Sequence, residues 1–191
     1  MIKSKQHFFL DFDLTMVDSI KAFCDVYNVW YKYHPDFQPA DPTKIYSYDF
    51  KCICPLLKTK EDKLAIWSSK LFFDYLQLMD DDTYNVLIEL NNKYRLIVCS
   101  IGTPSNIAYK SWFLEKRISF IKDYVLLTNK DCEMNKSFVQ MEGAIFMDDI
   151  PSNLNSTNAE RKVLFGKVYP WNKDWTGEYC LDWREVGERF L

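Results

Sequence analysis

The chain has 191 residues, 48% apolar and 17% aromatic, enough for one core, or one core with a sizeable insertion, without covalent staples. With 27% charged residues it is neither a disordered polymer nor a fibrous repeat. Lys plus Arg total 24 against 27 Asp plus Glu, a net of −3 with scattered basic residues, which argues against duplex nucleic acid or an anionic membrane as the main partner and leaves a small molecule.

The start, Met1 to His7, meets only Phe8-Phe9-Leu10 before an acid, far short of a signal peptide or a spanning helix, so a cytoplasmic protein is expected. Cysteines 24, 52, 54, 99, 132 and 180 form no CxxC pair and read as reduced thiols. With only His7 and His34 present, a His-rich zinc site is not expected.

Taken in order, His7 to Phe12 reads as a short strand ending in acid. The spacing of Val17, Ile20, Phe23, Cys24, Tyr27, Trp30 and Tyr31 predicts a helix after it. His34 to Pro55 carries four prolines and many aromatics and is expected to be irregular. Glu61 to Leu78 and Asp82 to Asn91 read as helices, and Tyr94 to Cys99 as a buried strand followed by a helix over about 105–115. Strands are expected again at Tyr124 to Leu127, Ala144 to Met147 and Lys162 to Phe165, with a terminal helix from Trp183 to Phe190. Continuous apolar strands separated by helices predict an α/β fold, a three-layer parallel sheet covered on both faces. In such sheets ligands bind beyond the carboxyl ends of the strands. Three of these ends are polar: Asp11 with Asp13, Ser100, and Asp148 with Asp149.

Asp11 and Asp13 stand two residues apart after an apolar strand, and carboxylates so placed need a cation or a shared proton. Asp148 and Asp149 follow a second strand, and four carboxylates at two strand tips make a hard oxygen site suited to magnesium. Each cluster alone reads as helix capping, as does Ser100 before Pro104, and together they point to chemistry.

These motifs in order, with a downstream lysine, resemble the four motifs of the haloacid dehalogenase-like superfamily over about residues 7 to 153. The stretches Ile66-Trp67-Ser68-Ser69-Lys70-Leu71-Phe72-Phe73, Leu96-Ile97-Val98-Cys99-Ser100, Leu126-Leu127-Thr128 and Cys180-Leu181-Asp182-Trp183-Arg184-Glu185-Val186 resemble more closely the 5'(3')-deoxyribonucleotidase family. The chain departs from that family at Leu14, where glycine is common, and in extra residues between Thr128 and Ala144.

The resemblance implies a Rossmann-like core, residues 1–17 and 91–191, with a helical cap inserted over residues 18–90. It implies a magnesium-dependent phosphatase in which Asp11 attacks phosphorus and Asp13 serves as general acid and base. Magnesium would be held by Asp11, the Asp13 main-chain carbonyl and Asp148, with Asp149 near. Ser100 and the backbone near Ile101 would bind phosphoryl oxygens, and Lys136 best matches the lysine position, with Lys130 and Lys110 as alternatives. In the insertion, Tyr48, Phe50 and Phe73 are candidates for substrate contact, while Trp67 and Phe72 fit an apolar helix stripe better. The substrate expected is a nucleoside monophosphate. The alternatives are another small phosphate ester on the same fold, and a non-catalytic phosphate-binding protein.

Overall fold

The structure is a computed structural model and describes residues 4–47, 49–129 and 135–191. Six parallel strands, β1 (His7–Leu10), β2 (Arg95–Gly102), β3 (Asp123–Thr128), β4 (Ile145–Asp148), β5 (Arg161–Phe165) and β6 (Glu178–Cys180), form one sheet in the order β3-β2-β1-β4-β5-β6. Chain order reverses at β1, which places a crevice between the ends of β1 and its neighbours.

Both faces of the sheet are apolar, as its sequence requires. Phe8, Leu10, Leu96, Val98, Ile145, Met147 and Val163 enter one core, while Phe9, Ile97, Cys99, Phe146 and Leu164 enter the other. The first core is closed by α4 (Thr83–Lys93), α5 (Pro104–Arg117) and α7 (Trp183–Phe190), which bring Leu87, Phe113, Trp183 and Phe190. The second is closed by α6 (Pro151–Ser156), through Leu154, and by Val139 and Met141. The three-residue strand β6 was not expected, because it is too short to show alternation; the Arg161–Glu178 ion pair at 2.7 Å joins it to β5.

Between β1 and β2 the chain makes α1 (Ser19–Tyr31), α2 (Lys60–Trp67) and α3 (Lys70–Tyr75), which pack on one another. It leaves and returns through a paired stem: Asp18 N–H donates to the Gln77 carbonyl and Met79 N–H to that of Met16, both at 3.0 Å. The 18–90 boundary read from the sequence runs past this stem into α4, which packs on α7 and β2.

The single helix expected over residues 61–78 is two. Ser69 accepts from Phe72 N–H at 3.1 Å and donates to the Ile66 carbonyl at 2.9 Å, so its hydroxyl ends one helix and caps the next. No helix among the described residues is long and apolar enough to cross a membrane.

Candidate active site

Asp11 follows β1 directly, and its N–H continues the ladder to the Met147 carbonyl of β4 at 2.9 Å. The two tips are therefore held side by side by sheet pairing. Beyond Asp11 the backbone winds back, with Met16 N–H donating to Phe12 and Leu14 N–H to Val17, both at 3.0 Å. Leu14, where the resembled family commonly has glycine, adopts a left-handed φ of 53°. The fully buried Trp183 indole N–H of α7 reaches the Thr15 carbonyl at 2.8 Å and fixes the far side of this loop.

Carboxylate oxygens of Asp11, Asp148 and Asp149, all buried, lie within 4.8 Å of one another. Lys136, 1% exposed, donates to Asp11 and to Asp148 at 2.6 Å each. Asp148 also accepts from Ile150 N–H at 2.8 Å and from the Asn153 amide at 3.1 Å. Asp13 pairs with Lys110, whose fully buried ammonium also donates to the Ser100 hydroxyl at 2.9 Å and the Ile101 carbonyl at 3.1 Å. Ser100 does not cap α5; Thr103 does.

Burial sets the ionisation here. It pushes the Asp148 carboxyl up to about 6 against the pull of Lys136, and lifts Asp149 well above the carboxylate range, with Asp148 and Asp11 adding repulsion. Asp13 is raised by burial, against the pull of the Lys110 ammonium. Lys136 would be lowered by burial, but Asp11 and Asp148 outweigh that and hold it above the ordinary lysine value.

Four carboxylates thus face two ammonium groups, and two negative charges are left without a partner cation when all are ionised. Two buried oxygens, Asp13 Oδ1 and Asp149 Oδ2, have no hydrogen-bond partner among the described residues. An oxygen-only donor set with this charge suits a hard divalent cation.

A cavity of about 610 Å³ opens on this cluster, lined by Asp11, Asp13, Ser100, Ile101, Lys136 and the start of α6. Trp171, which the sequence reading passed over, also lines it and stacks on Tyr169 with centroids 4.3 Å apart. A second cavity of about 250 Å³ shares Asp13 and Ile101 and reaches Phe50, Trp67 and one face of α2. The other substrate candidates are placed differently. Phe73 stacks on Tyr109 in a separate cavity with Trp112, and Tyr48 lies outside the described residues, as does Lys130.

Neither family models nor curated proteins match the sequence. The fold is similar to a predicted phosphatase from Clostridium acetobutylicum (TM-score 0.66, 13% identity, 98% of each chain covered). It is similar also to a haloacid dehalogenase-like hydrolase from Streptococcus pneumoniae (0.66, 15%, 100% of each). A third likeness is to a protein from Lactobacillus plantarum described as a candidate phosphoglycolate phosphatase (0.61, 15%, 97% of this chain and 99% of that one). The chain therefore carries the haloacid dehalogenase-like α/β fold, with a buried aspartate cluster at its strand tips.

Proposed function

We propose that the protein is a magnesium-dependent phosphatase that hydrolyses small phosphate monoesters through a phosphoryl group carried on Asp11. The observation that supports this most is the Lys136 ammonium bridging Asp11 and Asp148, which draws the tips of β1 and β4 into one charged centre with Asp149. Asp11, Asp148 and Asp149, with the Asp13 main-chain carbonyl, would hold the cation. When bound, it offsets the negative charge of the nucleophile and of the phosphate.

In the reaction an Asp11 carboxylate oxygen bonds to phosphorus as the ester P–O bond breaks. Asp13 gives its proton to the departing alkoxide, then takes one from the water whose oxygen attacks phosphorus and releases phosphate, restoring the Asp11 carboxylate. Lys110 orients Asp13 and Ser100 together, and Ser100 lines the cavity in which the phosphoryl oxygens would sit. Lys136 holds Asp11 in place.

Nucleoside monophosphates are the substrate class we favour, because Phe50 and Trp67 wall the cavity on Asp13 with apolar rings that could flank a base. The rival is a non-nucleotide ester, in line with the description of the Lactobacillus protein. The test is phosphate release in magnesium and in chelator from p-nitrophenyl phosphate, nucleoside monophosphates and 2-phosphoglycolate, for wild type and Asp11→Asn. The account expects release by wild type only, abolished by chelator. Equal release by Asp11→Asn contradicts it, and equal turnover of the non-nucleotide ester contradicts the nucleotide preference.

A further inference from the structure

The two cavities meeting at Asp13 hold different charges. The larger contains the Asp11 nucleophile, Ser100 and Lys136; the smaller contains none of these. An alcohol displaced from phosphorus departs opposite the nucleophile, toward the acid that protonates it. Asp13 lines both cavities, and the smaller, which lacks the nucleophile and Ser100, is the side into which such an alcohol would extend.

One wall of that cavity is the face of α2 formed by Lys60, Lys63, Leu64 and Trp67, whose spacing of three, four and seven residues makes a single helical stripe. The acids of α2 lie off this stripe, and Asp62 is taken up by the backbone N–H groups of Lys58 and Thr59 at 2.9 and 2.8 Å. Among the described residues neither Lys60 nor Lys63 forms an ion pair, whereas Lys110 and Lys136 are both committed to carboxylates. The helix is also fixed over the site. The Asn106 amide donates to the Trp67 carbonyl at 2.8 Å, and the Ser68 and Thr103 hydroxyls meet at 2.8 Å, so the end of α2 is tied to the β2–α5 turn.

We infer that the alcohol half of the substrate carries a second anionic group, a carboxylate or a phosphate, received by Lys60 and Lys63. This rests on the phosphatase reading and not on the nucleoside monophosphate preference: the alcohol of a nucleoside monophosphate is uncharged, so a nucleotide meets the requirement only when it carries a second phosphate. Lys60 is exposed and Lys63 half-buried, so water solvates both when the site is empty, and an anion at this wall gains their charge and their hydrogen bonds without breaking an internal pair. Phe50 and Trp67, edge to face at 5.8 Å, flank the span between the acid and the lysines.

The test is kcat/KM in magnesium for two esters with uncharged alcohols, p-nitrophenyl phosphate and a nucleoside 5'-monophosphate, and two with anionic ones, 2-phosphoglycolate and a nucleoside 3',5'-bisphosphate. Wild type is expected to prefer at least one anionic ester over both uncharged ones, and which one identifies the anion as carboxylate or phosphate. Lys63→Glu is expected to lower the ratio of that ester to p-nitrophenyl phosphate by about tenfold, the size of one charge contact. Lys116→Glu, the same charge change on the exposed end of α5, should leave the ratio within about twofold. No preference in wild type, or an equal loss in Lys116→Glu, overturns the inference and leaves the phosphatase reading intact. Absence of turnover on all four esters overturns both.

Discussion

The two sides of Asp13 differ in how their charges are held. On the Asp11 side the cations are buried, each bonded to carboxylates, and placed by strands that sheet pairing fixes. On the α2 side they are half-buried or exposed on a short helix whose own acids face elsewhere. A buried ammonium between carboxylates has little freedom to discriminate among alcohols and much to do in holding the reacting groups. A lysine with no carboxylate partner can serve selection, because it gives up no internal pair when a ligand arrives. In the proposed function, chemistry and choice would thus fall to different parts of the chain, with Asp13 belonging to both.

The sharpest way to break this division is Asp13→Asn. Loss of a proton donor costs about 10²–10⁴ in kcat/KM, which reports transfer to Asp11 and not the later hydrolysis that Asp13 also assists, for an alkoxide leaving group, and much less for p-nitrophenolate, which departs without protonation. An equal loss on both esters would remove Asp13 from the acid role. Next comes Lys136→Met against Lys63→Met in urea unfolding. The first strands two buried carboxylates and should cost about 3–5 kcal/mol; the second touches a helix surface and should stay within about 0.5 kcal/mol. Similar costs would erase the contrast between the two sides.

The smallest effect is in pH. The Asp148 carboxyl lies at about 6 in the fold against an ordinary value of 3.8, so the folded chain binds its proton more tightly than the unfolded one. Stability of the metal-free protein therefore falls as pH rises from about 4 to 6 through this group, and the rise in Tm on adding magnesium should grow over the same window. A magnesium effect on Tm that shrinks with rising pH would contradict this.

Much of the Asp11 side was legible in the sequence, because apolar runs ending in acid mark strand tips without reference to distant residues. Lys136 was reachable only through the order of motifs, since nothing local to Asn135-Lys136-Ser137 distinguishes it from a solvated lysine. Lys110 was open among the alternatives, and its burial against Asp13 and Ser100 depends on α5 folding back over β2. On the α2 side less was visible. The break at Ser68-Ser69 hides inside an apolar period that continues across it, and Lys60 and Lys63 look like any exposed helix face until the stem and the Asn106–Trp67 bond place α2 over Asp13. Phe73 carried the aromatic character expected of a substrate contact, but α3 turns it onto Tyr109.

The central claim is that Asp11 accepts a phosphoryl group at the joined tips of β1 and β4. Acid quenching of the magnesium-loaded protein during turnover of a 32P-labelled monoester, followed by peptide mapping, tests it directly. The account predicts hydroxylamine-labile label on the peptide containing Asp11. Turnover with no label on the protein, or label on another residue, would contradict it.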